Sequence, residues 1–133
     1  MIVMMRIKII SPGKHKEPWL LSALAEYEKR LTRDAKLEWV FPKELSVKDE
    51  NYSLLDVKGK YLSSEEFSTF LMSKPGHIFV IGGPEGPPKN ISDNASFKFS
   101  LSPLTFTHQL VRLILLEQIY RGFEIFKGSA YHK

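Results

Sequence analysis

The chain switches repeatedly between a two-residue hydrophobic repeat and a helical one. Arg6-Ile7-Lys8-Ile9-Ile10 alternates polar and apolar positions with β-branched isoleucines, which predicts a strand ended by Ser11-Pro12-Gly13. From Glu17 or Pro18 to Arg33, Trp19, Leu20, Ala23, Leu24, Tyr27 and Leu31 recur at helical spacing as the buried face of a helix whose first turn tolerates Pro18. Leu37 to Phe41 reads as a second strand closed by Pro42, Lys43 to Asn51 as a polar loop, and Tyr52 to Val57 as a third strand broken by Gly59. Ser63 with Glu66 three residues on fits a capping box and opens a short helix to about Met72. After the turn Lys74-Pro75-Gly76, His77-Ile78-Phe79-Val80-Ile81 is nearly all apolar, as a central strand covered on both faces should be.

Gly82-Gly83-Pro84-Glu85-Gly86-Pro87-Pro88 cannot be helix or strand interior. A weakly patterned helix starts near Ser92, Phe97 to Leu101 is a last short strand, and Ser102 to Phe106 is a loop. The longest helix runs from its cap Thr107 to Phe126 and Gly128 stops it, leaving the tail Ser129 to Lys133. Its apolar stripe is Leu110, Val111, Ile114, Leu115, Ile119 and Phe123 or Ile125–Phe126, with Arg112, Glu117, Arg121 and Glu124 in other directions. Core packing explains such a stripe, and so does contact with a second subunit. Strands alternating with helices give an α/β fold, a mainly parallel sheet flanked by helices, in a single domain over 1–133. Ligands of such sheets sit outside the carboxyl ends of the strands, so the loop 82–88 is the first place to look.

Composition narrows the classes. With 133 residues, 43% hydrophobic and 26% charged, the chain suits one globular domain. The absence of cysteine excludes disulfides, thiolate zinc sites and a cysteine nucleophile, and fits a cytoplasmic protein. No apolar run approaches the ~20 residues of a membrane helix, so no membrane partner is expected. Met1 to Met5 lacks the charge pattern of a signal peptide; with Met4 and Met5 as alternative starts it reads as a ragged extension. Nineteen Lys and Arg against fifteen Asp and Glu, a net +4, permit an anionic partner without demanding one.

Three features carry candidate chemistry. The glycine loop suits close backbone approach to a ligand, although a plain tight turn explains it equally well. Its glycines, interrupted by Pro84, match neither a dinucleotide fingerprint nor a P-loop. The tail Tyr131-His132-Lys133 combines a ring that can stack on a base with charge for a phosphate; a terminus without a role is the alternative. Of the histidines, His15 sits between two lysines and reads as solvated, His77 flanks a strand, and His108 opens the long helix, where the dipole disfavours its charged form. His108 and His132 have no carboxylate pattern around them, so no metal site is expected.

Longer motifs go further. Phe79-Val80-Ile81-Gly82-Gly83-Pro84-Glu85-Gly86 resembles the knot-forming loop of SPOUT-class methyltransferases. Leu104-Thr105-Phe106-Thr107-His108-Gln109-Leu110-Val111-Arg112, Glu117-Gln118-Ile119-Tyr120-Arg121 and Gly128-Ser129-Ala130-Tyr131-His132-Lys133 are similar to one family within that class, the small RlmH-type methyltransferases of large-subunit ribosomal RNA that act on N3 of a pseudouridine. Ala25 to Leu31 and Leu55 to Phe67 agree with the same family, so the resemblance covers essentially the whole chain. Departures are a short connection between Phe41 and Tyr52, Pro87-Pro88 after the loop, Thr107 where proline is frequent, and Gly122 where alanine is common.

The resemblance implies a trefoil knot over approximately residues 75–133, a homodimer with pockets near its interface, and S-adenosylmethionine as cofactor. It implies that Leu55, Leu101, Leu104 and Phe106 wall the adenine, that backbone groups of Ser102, Pro103 and Thr105 face the cofactor, and that Gly82 and Gly83 let the chain pass close to its methionine portion. On the substrate side it implies Arg112, His132, Tyr131 and His108 as catalytic residues. Tyr131 would stack on the base, Arg112, Arg121 or Lys133 would hold phosphates or a developing anion, and His108, His132 or Glu85 would take the N3 proton. Assembled ribosomes are the expected substrate, since a large particle supplies contacts that a small, mildly charged enzyme lacks. A non-catalytic RNA binder of the same fold and a methyltransferase of transfer RNA or another base are the rival readings.

Overall fold

A computed structural model of the chain describes residues 4–48 and 51–132. Most of the expected ragged extension (1–3), two residues of the polar loop (49–50) and Lys133 lie outside these. In chain order the elements are β1 (Met5–Ile10), α1 (Pro18–Leu31), β2 (Ala35–Val40), β3 (Ser53–Tyr61), α2 (Ser64–Met72), β4 (Gly76–Ile81), α3 (Lys89–Asn94), β5 (Phe97–Ser100) and α4 (His108–Lys127). The strands form one parallel sheet in the order β2-β1-β4-β3-β5. The apolar run 77–81 is therefore the middle strand, as its composition predicts.

Period-two alternation sorts the side chains between the faces. Ile7, Ile9, Phe79, Ile81 and Phe99 face Leu20 and Leu24 of α1, Phe67 and Leu71 of α2, and Leu115, Leu116 and Ile119 of α4. Ile10, Leu54 and Val80 point the other way and are covered by Ile91 of α3 and by Tyr52, whose hydroxyl donates to the Ile91 carbonyl at 2.6 Å. Each such side chain, fully buried, contributes about 1.5–3 kcal/mol.

Local signals fix the helix ends. Ser63 Oγ accepts from Glu66 N (3.0 Å) and Glu66 Oε1 accepts from Ser63 N (2.8 Å), the reciprocal pair of a capping box. Thr107 Oγ1 accepts from Leu110 N at the start of α4, and Gly128, at φ 71°, ends it in the left-handed region.

Several expectations are corrected. Gly59 does not break β3. It lies in a bulge between Leu55 and Lys60 where β3 presses on β5, and a Cβ there would come within 2.6–2.7 Å of the Phe99 and Lys98 backbone. Helix α1 ends at Leu31, not Arg33, because Asp34 N turns back to the Leu31 carbonyl and β2 already begins at Ala35. Trp19 is 53% exposed, since the buried stripe of α1 is the narrower Leu20, Leu24, Leu31. Helix α3 begins at Lys89, directly after Pro88. On α4 the buried face is rotated: Leu110, Val111 and Ile114 are half-buried, Phe126 is exposed, and Arg112, assigned to a direction outside the apolar stripe, is fully buried.

Candidate cofactor site

Strands β3 and β4 run side by side as far as Leu55 and Ile81, then part. A cavity of about 780 Å³ opens there, at the carboxyl ends of β4 and β5, beside the middle of β3 and against the first turn of α4. This is where ligands of parallel sheets bind. Of the residues expected to hold a cofactor, Leu55, Gly82, Gly83, Leu101, Ser102, Leu104, Thr105 and Phe106 line it, as does His108. Pro103 is exposed and does not line the cavity. Glu85, at the tip of the glycine turn, is also outside the lining.

The glycine segment is a closed turn. Gly86 N donates to the Gly83 carbonyl at 3.0 Å, and Gly86 sits at φ 83°. A Cβ on Gly82 would lie 2.9 Å from Pro87 N, so the turn exists in this shape only without a side chain at that position. The 100–107 segment is shaped by serines: Ser100 Oγ donates to the Ser102 carbonyl (2.8 Å) and accepts from Ser102 N (3.3 Å), while Ser102 Oγ accepts from Leu104 N (3.0 Å). Ser102's backbone is thereby partly engaged. Among the described residues the Thr105 backbone makes no hydrogen bond and is available to a ligand.

Arg112 lies beside the cavity but not in its lining. Its Nε donates to Ser11 Oγ (2.9 Å), one terminal nitrogen to the Pro12 and Gly13 carbonyls (2.7 Å each), and the other to His15 Nδ1 (3.0 Å) and Gln109 Oε1 (3.4 Å). The guanidinium stands over the Phe41 ring. Among the described residues no carboxylate lies within ion-pair distance of it. Burial pushes the group down to about 10, which leaves it charged near neutral pH. His15 is consequently not solvated: it is wedged edge-on against Trp39 and Phe41, and burial with the Arg112 charge pushes its pKa below the usual histidine value. His108 is lowered by the same two causes. Gln109, turned so that its oxygen meets Arg112, offers its amide to His108 Nε2 at 3.1 Å.

The tail lies elsewhere. His132 Nε2 donates to Glu65 Oε1 of α2 at 2.6 Å, and Arg121, itself paired with Glu117, donates to His132 Nδ1 at 3.0 Å. That hydrogen bond holds the Glu65 carboxyl below the usual carboxylate range. Tyr131 packs edge-on against Tyr120 under the Arg121 guanidinium, and burial together with a hydrogen bond to Tyr27 pushes its hydroxyl up to about 12. Arg121 is thirteen positions beyond His108 on one helix, about 20 Å along its axis. The structure thus gathers eight of the nine residues expected to hold a cofactor, together with His108, and leaves Tyr131 and His132 beside Tyr120 and Arg121, well down α4 from the cavity.

Sequence reasoning missed Asp56, Ser100 and Gln109 in the lining. Ser100 is the last residue of β5, where that signal was available, and Asp56 directly follows the last pairing of β3 with β4. Among the described residues no three His, Asp or Glu side chains are grouped as a metal site, and no helix is long and apolar enough to cross a membrane.

The geometry has counterparts. A family model described as predicted SPOUT methyltransferase matches residues 42–132. The chain is similar to two curated proteins named ribosomal RNA large subunit methyltransferase H. It is 44% identical to that of Protochlamydia amoebophila, over 98% of this chain and 100% of that one, and 43% identical to that of Alkaliphilus oremlandii, over 97% and 100%. The second alignment spans 159 positions against the 133 residues of this chain. Its fold matches a solved structure described as a probable methylase family protein from Haemophilus influenzae Rd KW20, with TM-score 0.58 over 96% of this chain and 68% of that one, at 11% identity.

Proposed function

The chain belongs to the SPOUT methyltransferase family, and on that premise we propose that it methylates N3 of a pseudouridine in large-subunit ribosomal RNA, on assembled ribosomes in the cytoplasm, with S-adenosylmethionine as donor. The observation that carries this reading is the cavity where β3 and β4 part. It combines apolar walls with the unpartnered Thr105 backbone and a glycine turn that a single methyl would obstruct, a donor set that fits an adenosine and an amino-acid chain. When bound, the cofactor supplies an electrophilic methyl on a sulfonium, so the protein's work is alignment, worth ~7–11 kcal/mol, and removal of the N3 proton.

His108 is the histidine that lines the cavity, and its lowered pKa keeps it neutral near pH 7 and able to accept a proton. Its Nε2 lone pair must first leave the Gln109 amide. Tyr131 and His132 serve the substrate side of this reading only in a homodimer. Helix α4, with 20 residues, is about 30 Å long. Tyr131 and His132 follow Gly128 by three and four residues, a reach of at most ~15 Å. Held on Tyr120 and Arg121, they stand about 20 Å along the helix from His108, and in this reading they serve the cavity of a second copy. Val57, Tyr61 and Leu104, 51–68% exposed beside or near the cavity, support a covered surface there. The trefoil knot of the SPOUT class belongs to the same reading.

Calorimetry with S-adenosylmethionine and mass spectrometry of ribosomal RNA treated with the enzyme test the proposal. Cofactor binding with a new methyl on a pseudouridine of ribosomes, and much less on protein-free RNA, is expected. No affinity for the cofactor overturns the reading, and methyl on transfer RNA or another base corrects its target.

A further inference from the structure

We propose that Arg112 is a positioning residue that braces the glycine turn of the cavity through Pro12, rather than a group that meets the substrate. The inference rests on the cavity being the cofactor site. Five contacts leave the guanidinium no free N–H to offer, and they all lead to neutral acceptors on two elements: the segment 11–15 after β1, and Gln109 in the first turn of α4. A buried cation without a carboxylate partner gains little net stability over an apolar side chain of similar size. What it does gain is geometry, because a planar fork fixes the Ser11 hydroxyl and two successive carbonyls at once, which the single ammonium of lysine cannot.

The segment so fixed touches the turn. Pro12 lies against Gly83: a Cβ on Gly83 would be 3.3 Å from Pro12 Cγ. Gly83 in turn accepts the hydrogen bond that closes the turn at Gly86. Arg112, Pro12 and Gly83 therefore stand in series behind one wall of the cavity, while Gln109 carries the same guanidinium's orientation to His108. A residue acting this way changes how well the wall is held without touching what binds there.

The test compares Arg112→Lys, Pro12→Ala and the double variant, first without ligand. Amide exchange at Gly86, whose N–H closes the turn, should accelerate by about tenfold or more in each single variant, while Phe79 to Ile81 of β4 keeps wild-type protection. Because the two act in series, the double variant should add little to either alone. The dissociation constant for S-adenosylmethionine should rise about tenfold, with the KM for ribosomes unchanged. Unchanged exchange in the turn, effects that multiply in the double variant, or a change confined to the ribosome KM each overturn the proposal. Should Arg112→Lys fail to fold, Pro12→Ala, which keeps the carbonyl Arg112 holds and removes the ring contact together with the fixed φ, decides it. The expected exchange pattern in the variants, with a wild-type protein that binds no S-adenosylmethionine, refutes the cofactor reading and leaves the brace standing.

Discussion

Placing one methyl on Gly82 tests whether the backbone of the glycine turn shapes the cavity. In Gly82→Ala the new Cβ would lie 2.9 Å from Pro87 N and 3.1 Å from both the Gly86 carbonyl carbon and Pro87 Cδ, where ordinary contact begins at 3.4 Å. The closing arm of the turn must therefore retreat by about 0.3–0.5 Å. None of the three atoms belongs to a side chain that can rotate away. Overpacking of this kind costs about 1–3 kcal/mol in a closed core. Here one side of the turn is solvent, so the stability loss should sit near ~1 kcal/mol, and the displacement should appear in ligand affinity, about tenfold. Urea unfolding measures the first and calorimetry with S-adenosylmethionine the second. Gly86→Ala is the control: nothing lies within 4 Å of its Cβ, but φ 83° penalises any side chain, so it should lose stability without the steric push on the wall. A Gly82→Ala protein with wild-type unfolding and wild-type affinity would refute the reasoning.

Three more outcomes follow from the same packing. His77 is pushed below the usual histidine pKa chiefly by burial, with Nε2 donating to the Leu71 carbonyl at 2.8 Å and Nδ1 buried without a partner; the unfolded chain binds its proton more readily, so stability is full above about pH 6.5 and falls as the pH drops below it. Melting temperature should decline toward about pH 5, less steeply in His77→Gln, and parallel curves would show that His77 is not the source. Gly59→Ala puts a methyl within 2.7 Å of the β5 backbone, so the urea midpoint should fall by an amount equivalent to ~2–3 kcal/mol, and an unchanged midpoint would deny the close approach of β3 and β5. For the proposed homodimer, mixing Gly82→Ala chains with chains lacking Tyr131 and His132 should recover part of the activity that each has lost; no recovery would put the tail's action outside a shared site.

How much of this was legible in the sequence follows the range of the interaction that decides each feature. Ser63 with Glu66, Thr107 and Gly128 announce helix ends because their partners lie within a turn of them in the chain. The run 77–81 announces the central strand because burial on both faces is a property of the strand itself. Gly59 was misread for the converse reason: its role is set by Phe99, forty residues away, and an isolated glycine looks the same whether it ends a strand or admits a neighbour. Trp19 looked buried because hydrophobicity alone does not say how wide a helical stripe is. Arg112 was the hardest position to read. A charged residue in an amphipathic helix is ordinarily a solvated one, and only the arrival of the 11–15 segment, about a hundred residues earlier in the chain, supplies the acceptors that let it be buried. The resemblance placed Arg112 and the tail in one reacting group, whereas the helix that carries Arg112 is a rod with the cavity at one end and the tail at the other. Proximity in a motif therefore does not transfer to proximity within one chain: α4 holds the tail away from the cavity, and it buries Arg112 against the 11–15 segment.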